Sequence, residues 1–112
     1  MKINENTDRI AGLWQIEKKE VNGSNQTDNF KASHINYVLS FTPEGAFTET
    51  YADAFGDLQI FEGSWLFLNN VKELKLSDNT QDRIYDIIEL TTTILTIQLL
   101  NTPDETLFYF VR

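Results

Sequence analysis

The sequence has 112 residues, of which 41% are hydrophobic and 12% aromatic, and its formal net charge is −8. Because one domain usually spans ~100–200 residues, we expect a single domain over residues 1–112. The acidity excludes nucleic acid as a partner and disfavours an anionic membrane surface, since both require a basic patch and the longest basic run is Lys18-Lys19. The absence of cysteine excludes disulfide scaffolds, thiol catalysis and thiolate metal sites.

The sequence predicts no membrane-spanning segment, because no apolar run reaches the ~20 residues that a spanning helix needs. Residues 1–10 also lack the apolar segment of a signal peptide. Two alternatives stay open for the compartment. Either the protein is cytoplasmic, or it is exported and a targeting segment has been removed from this chain.

Short stretches of alternating apolar and polar residues recur about every ten positions, which is typical of antiparallel β-structure. One helical turn is predicted over residues 5–11, ahead of the first strand. Eight strands follow it. Their predicted bounds are 13–21, 35–41, 46–52, 58–68, 71–76, 84–90, 94–100 and 106–111.

Short turns join nearly all of these strands, for example Thr42-Pro43-Glu44-Gly45 and the two-residue turn Asn69-Asn70. Consecutive antiparallel strands with tight turns form a meander, which leaves two exposed edges unless the sheet closes on itself. The fold class is therefore predicted to be all-β, as an eight-stranded antiparallel up-and-down barrel. The exception is the polar segment 23–34, which is predicted to be a flexible loop, either passive or a lid.

Three motifs give the chain a resemblance to a known family. Gly12-Leu13-Trp14 opens the first strand, Gly63-Ser64-Trp65 leads through Asn69-Asn70 into the next strand, and residues 85–100 form a strand–turn–strand segment. Together they resemble the compact bacterial lipocalin-like domain proteins. The chain differs from typical lipocalins because it has no helix after the last strand and no stabilising disulfide.

The resemblance implies a structural role for two residues. The tryptophan of the first strand, here Trp14, is expected to close one end of the barrel, and an arginine after the last strand, here Arg112, to pack across its ring. Such a cation–π contact contributes ~0.5–2 kcal/mol, depending on burial. The alternative is that Arg112 is a frayed terminal charge.

The leading functional hypothesis is non-enzymatic binding of a small hydrophobic or amphipathic molecule in the barrel mouth, with no cofactor. Aromatic side chains on predicted strands can line such a pocket, or they can fill the barrel completely. Lys18 is expected to share the face of Trp14 by alternation and to anchor a ligand carboxylate. The other wall candidates are Tyr37, Phe47, Tyr51, Phe61 and Trp65.

Two carboxylates form a further candidate site. If Phe55-Gly56 is a two-residue turn, Glu49 lies opposite Glu62, and an inward-facing pair of this kind can carry general acid–base chemistry. A turn at Gly56-Asp57 removes the pairing, and the alternative is that both side chains face solvent. No metal site is expected, because His34 is the only histidine and no cysteine is present. The protein is accordingly predicted not to be an enzyme.

The alternative function is a packed barrel without internal ligand, acting as an interaction module of the cell envelope. Many of the proteins that this chain resembles are exported, which implies an extracytoplasmic location, periplasmic or in the cell envelope. Two strands, 58–68 and 106–111, carry apolar residues on both faces and indicate a homodimer surface.

Overall fold

The computed structural model describes residues 5–112, and strands make up most of that range. Two short helices lie within it, α1 at Glu5–Ile10 and α2 at Thr27–Ser33. The nine strands of this described range are β1 Gly12–Val21, β2 Ser24–Asn25, β3 Ile35–Phe41, β4 Ala46–Ala52, β5 Leu58–Leu68, β6 Glu73–Ser77, β7 Asp82–Leu90, β8 Ile94–Leu99 and β9 Thr106–Val111.

The sheet closes into a barrel. Each strand from β3 to β8 pairs antiparallel with the next, β1 pairs with β3, and β9 pairs back onto β1. The two-residue strand β2 pairs antiparallel with the last two residues of β1, Glu20 and Val21. Within residues 5–112 the barrel therefore has eight strands, and the predicted all-β, eight-stranded antiparallel barrel is confirmed. Closure pairs both edges that an open meander would leave exposed.

The strand bounds follow the alternation in the sequence closely. Four strands, β3, β4, β5 and β9, have the predicted bounds, and most of the others differ by one or two residues. The predicted two-residue turn at Asn69-Asn70 is wrong. Leu68 pairs with Glu73, so four residues make the turn, and Asn69, Asn70 and Val71 all have positive φ.

The prediction of a loop over residues 23–34 is also wrong, because this segment contains β2 and α2. The side chain of Asn25 accepts a hydrogen bond from the backbone N–H of Thr27 at 2.9 Å, where α2 begins. Phe30 is the buried residue of this helix. A seven-residue helix is marginal alone, so its order depends on packing Phe30 against the barrel.

Three bulges in the described range interrupt the alternation from which the inward or outward direction of side chains was predicted, and one of them lies on β7 between Ile87 and Glu89. On β1, Ile16 pairs with Phe110 but Lys18 pairs with Tyr109, so Glu17 is an extra residue. On β3, the register shifts between Ile35 and Val38, where Asn36 has φ 56°. A bulge turns the following residues to the opposite face from the one that simple alternation gives.

Candidate ligand cavity

The barrel interior is filled at one end and open at the other. A cavity of about 230 Å³ lies between α2 and the middle of the barrel. Its walls are mainly aromatic, with a group of polar side chains among them. The lining residues are Phe30, His34, Tyr37, Leu39, Glu49, Tyr51, Phe61, Asp78, Gln81, Arg83, Tyr85, Ile97, Phe108 and Phe110.

The aromatic wall is a series of rings in mutual contact that runs from α2 onto β4 and β5. The rings of Phe30 and His34 stack with centroids 4.1 Å apart, and the ring of His34 lies 4.4 Å from that of Tyr51. Tyr51 in turn stacks on Phe61 at 6.1 Å. Tyr37 presents its edge to Phe30 at 5.3 Å. Through these contacts α2 covers part of the mouth with an aromatic surface.

The polar group is built around Glu49, whose side chain is only 9% exposed. Its two carboxylate oxygens accept hydrogen bonds from the hydroxyl of Tyr37 and from Nη2 of Arg83. Nη1 of Arg83 donates to the hydroxyl oxygen of Tyr85 at 3.3 Å. These four residues, Tyr37, Glu49, Arg83 and Tyr85, form the polar floor of the cavity. Because Glu49 and Arg83 carry opposite charges, the ion pair is neutral overall.

Burial sets the ionisation of the polar floor. It raises the pKa of Tyr37 well above the usual tyrosine value, and the adjacent Glu49 carboxylate raises it further. Burial likewise raises the pKa of Tyr85 to about 12. Burial lowers the pKa of Arg83, but its hydrogen bond to Glu49 and the charges around it outweigh that effect and raise it. At neutral pH both tyrosines are protonated and Arg83 is charged.

The structure distributes the predicted wall residues between the cavity and the packed core. Tyr37, Tyr51 and Phe61 lie in the cavity lining. Phe47 and Trp65 are buried outside it. The guanidinium carbon of Arg83 lies 5.9 Å from the centroid of the Phe47 ring, so Phe47 packs against the polar floor. Trp65 packs against Phe41 and Phe67.

Lys18 does not reach the cavity, because the bulge at Glu17 turns it outward. Its Nζ lies 3.2 Å from a carboxylate oxygen of Glu20 and 5.3 Å from the ring centroid of Tyr109. Lys19 takes the inward position instead. Its Nζ lies 5.0 Å from the centroid of Phe30 and 5.5 Å from that of Phe108, two rings of the cavity wall.

Trp14 and Arg112 are in contact at the filled end of the barrel. Trp14 is fully buried, and its indole N–H donates to the carbonyl of Ile10 at 2.8 Å. The guanidinium carbon of Arg112 lies 4.1 Å from the Trp14 ring centroid. Arg112 also donates to the carbonyl oxygens of Thr92, Arg9 and Ala11. This arginine therefore joins α1, the β7–β8 turn and the last strand.

Neither arrangement considered for Glu49 and Glu62 is correct, because the two do not pair and only one of them faces solvent. Glu49 pairs with Phe61, and Glu62 pairs with Thr48. The reason is the turn between β4 and β5, which places Ala52 opposite Leu58 and so shifts the register by one residue. Glu49 faces the interior and Glu62 faces solvent.

Sequence reasoning missed Arg83, because it lies one residue before the predicted start of its strand. The signal was its position two residues from Tyr85, since i and i+2 share a face on a strand. By the same rule Glu49 shares a face of β4 with Phe47 and Tyr51. Among the residues that the structure describes, no group of three or more His, Cys, Asp or Glu side chains could hold a metal ion.

Comparison with known proteins agrees with this geometry. Residues 10–97 match the model of the lipocalin-like domain family. No curated protein matches the chain. Within residues 5–112 no helix is long and apolar enough to cross a membrane.

Two solved structures from Bacteroides share the fold. An uncharacterized protein from Bacteroides eggerthii superimposes with a TM-score of 0.68 at 14% sequence identity, over 92% of this chain and 98% of the other. A lipocalin-like protein from Bacteroides uniformis superimposes with a TM-score of 0.65 at 15% identity, over 89% and 96% of the two chains. The family match covers most of the barrel, and the chain belongs to the lipocalin-like domain family.

Proposed function

We propose that this protein binds a small amphipathic molecule in the cavity and releases it unchanged. The observation that supports this most directly is an unfilled space lined by aromatic rings with a small polar group at its floor. Apolar walls with a few placed polar groups are typical of small-molecule sites. In this proposal Tyr37, Tyr51 and Phe61 are wall residues and α2 is the lid.

The volume limits the ligand. At the ~0.74 packing density of protein interiors, 230 Å³ accommodates about 170 Å³ of ligand, which is about a dozen non-hydrogen atoms. A long-chain fatty acid does not fit within this volume. A molecule with one or two flat rings does, and it can lie against the stacked rings of His34, Tyr51 and Phe61.

The proposal is of binding rather than catalysis because the polar floor has no free general base. Both carboxylate oxygens of Glu49 accept hydrogen bonds, from Tyr37 and from Arg83. Glu62, the second carboxylate of the catalytic hypothesis, is on the outside of the barrel. We further propose that the protein acts outside the cytoplasm, in the periplasm or the cell envelope.

Calorimetric titration with 2-naphthol, a two-ring molecule of suitable size, tests the binding proposal. We expect saturable one-to-one binding. Ile97→Phe places a larger side chain in the lining and should abolish it, whereas Ile94→Phe, at an exposed position on the same strand, should leave it unchanged. No saturable binding of flat two-ring probes, or equal binding by both variants, would contradict the proposal.

A second candidate function, pairing with another copy of this chain, is supported by the outer surface of the β4–β5 hairpin. Phe55 is 92% exposed, and Leu58 and Ile60 on the adjoining strand are 67% and 53% exposed. Exposed apolar patches often mark protein contacts. Sedimentation of the protein and of an Ile60→Lys variant tests this candidate: a dimer that the substitution dissociates supports it, and a monomer rejects it.

A further inference from the structure

We infer that the ligand is electrically neutral and carries an oxygen acceptor, a carbonyl or an ether, that receives the hydroxyl hydrogen of Tyr85. This inference rests on the proposed function, because it names the class of molecule that the same cavity would hold. It follows from the hydrogen bonds and charges of the polar floor, taken atom by atom.

Among residues 5–112, the polar floor has two buried donors without an acceptor, the hydroxyl hydrogen of Tyr85 and the Nε–H of Arg83. Tyr37 gives its hydrogen to Glu49, and Arg83 gives one to Glu49 and one to the oxygen of Tyr85. The Tyr85 hydroxyl thus accepts a hydrogen bond, but among residues 5–112 it donates none. A hydroxyl carries both a donor and acceptor positions, and a buried donor without an acceptor is destabilising.

Tyr85 is also well placed to meet a ligand. The residue is 5% exposed, yet it lines the cavity, so its surface faces the internal space rather than bulk solvent. Burial raises the pKa of Tyr85 to about 12, and the hydroxyl therefore retains its hydrogen at neutral pH. A ligand oxygen beside it would give this hydroxyl the acceptor that it lacks.

The charges of the lining argue against an ionic ligand. A ligand carboxylate at the floor would lose its water and lie close to the buried carboxylate of Glu49. Asp78 adds a second carboxylate to the lining, and hydrogen bonds from Thr80 lower its pKa and keep it ionised. A ligand ammonium at the floor would also lose its water, and it would lie beside the charged guanidinium of Arg83, which repels it.

Four naphthalenes of nearly equal size separate these cases. They are 2-acetylnaphthalene, which offers a carbonyl; 2-isopropenylnaphthalene, its hydrocarbon isostere; 2-naphthoate, an anion; and 2-naphthylmethylammonium, a cation. We expect the ketone to bind about threefold to tenfold more tightly than the hydrocarbon, which is the effect of one neutral hydrogen bond. We expect both ions to bind more weakly than either.

The variant Tyr85→Phe removes the hydroxyl hydrogen and keeps the ring. It should reduce ketone affinity to the level of the hydrocarbon and leave hydrocarbon affinity unchanged, which also shows that the cavity walls are intact. Tyr109→Phe is the matched control, because Tyr109 donates its hydrogen to Glu20 on the outside of the barrel. This control should keep the preference for the ketone.

The possible failures are distinguishable. If the hydrocarbon or an ion binds as tightly as the ketone, or if Tyr85→Phe keeps the preference, the inference is overturned while binding in the cavity stands. If none of the four naphthalenes binds, the inference and the proposed function are both overturned.

Discussion

Arg83 of β7 and Glu49 of β4 form an ion pair across the barrel interior, although β5 and β6 separate their strands in the sheet. A contact of this kind joins parts of the barrel that no backbone hydrogen bond connects. Removing one member of a buried ion pair usually destabilises a protein strongly, because the remaining charge stays buried without a partner.

Glu49→Gln should therefore lower the free energy of unfolding by about 3 kcal/mol. Urea denaturation measures this, with Glu62→Gln as the matched control. Glu62 is exposed, so its substitution should change stability by less than about 0.5 kcal/mol. The double variant Glu49→Leu/Arg83→Met should lose less stability than the sum of its single variants. Equal effects of the two glutamine substitutions would contradict the assigned burial.

Arg112→Met should destabilise the protein by about 2 kcal/mol, because it removes both the stacking on Trp14 and the charged hydrogen bonds to three backbone carbonyls. A double-mutant cycle with Trp14→Phe should assign about 1 kcal/mol to the stacking itself. Lys31→Met, on the exposed side of α2, serves as control. An Arg112 variant as stable as this control would show that the arginine is frayed in solution.

Gly63→Ala should destabilise the protein by about 3 kcal/mol, at the upper end of overpacking effects. A Cβ at this position would lie 1.9 Å from the carbonyl oxygen of Ser77 and 2.8 Å from the ring of Phe47. The adjacent Ser64→Ala, at an exposed position, should change stability by less than about 0.5 kcal/mol. Thermal unfolding of both variants checks this, and a neutral Gly63→Ala would show that β5 and β6 separate more easily than the structure indicates.

Stability should fall at alkaline pH because of Tyr85. Its pKa is about 12 in the folded protein and ~10 in the unfolded chain. Below pH 10 both states keep the proton, and the contribution of Tyr85 is fully present. Between pH 10 and 12 only the unfolded state loses the proton, so about 2–3 kcal/mol is lost as the pH rises. Tyr37 acts in the same direction.

Urea midpoints measured from pH 9 to pH 12 test the alkaline prediction. The decrease should be smaller in Tyr85→Phe than in the unsubstituted protein, because the variant has one tyrosine fewer to titrate. An identical decrease in the two proteins would assign the pH dependence to other groups.

The closed barrel could be predicted from the sequence because it depends on strand alternation and short turns, which are local properties. The sequence could not predict that the Lys18 side chain points outward, because the bulge at Glu17 arises from the pairing of β1 with β9. Helix α2 was missed because it contains one buried apolar residue, Phe30, and so shows no helical period. For Lys18 and for α2, the contacts that determine the structure join residues far apart in the sequence.

The cavity was only partly predictable for the same reason. The sequence indicated which aromatic residues lie on strands, and Tyr37, Tyr51 and Phe61 do line the space. It did not indicate that Phe47 and Trp65 would be buried in the packed core, outside the cavity. Nor did it indicate that Glu49 would contact Arg83, since this contact forms only when the sheet closes and brings β4 and β7 to face each other across the interior.

The pairing of β9 with β1 has a consequence for chain connectivity. Arg112, after β9, donates to the carbonyl of Ala11, just ahead of β1, so the two ends of the strand order lie side by side. A circular permutant can be designed that starts in the turn 69–72 and connects Arg112 to Glu5 with a linker as long as α1. It would keep every strand pairing except at that turn. The fold is therefore defined by which strands pair with each other, and not by their order along the chain.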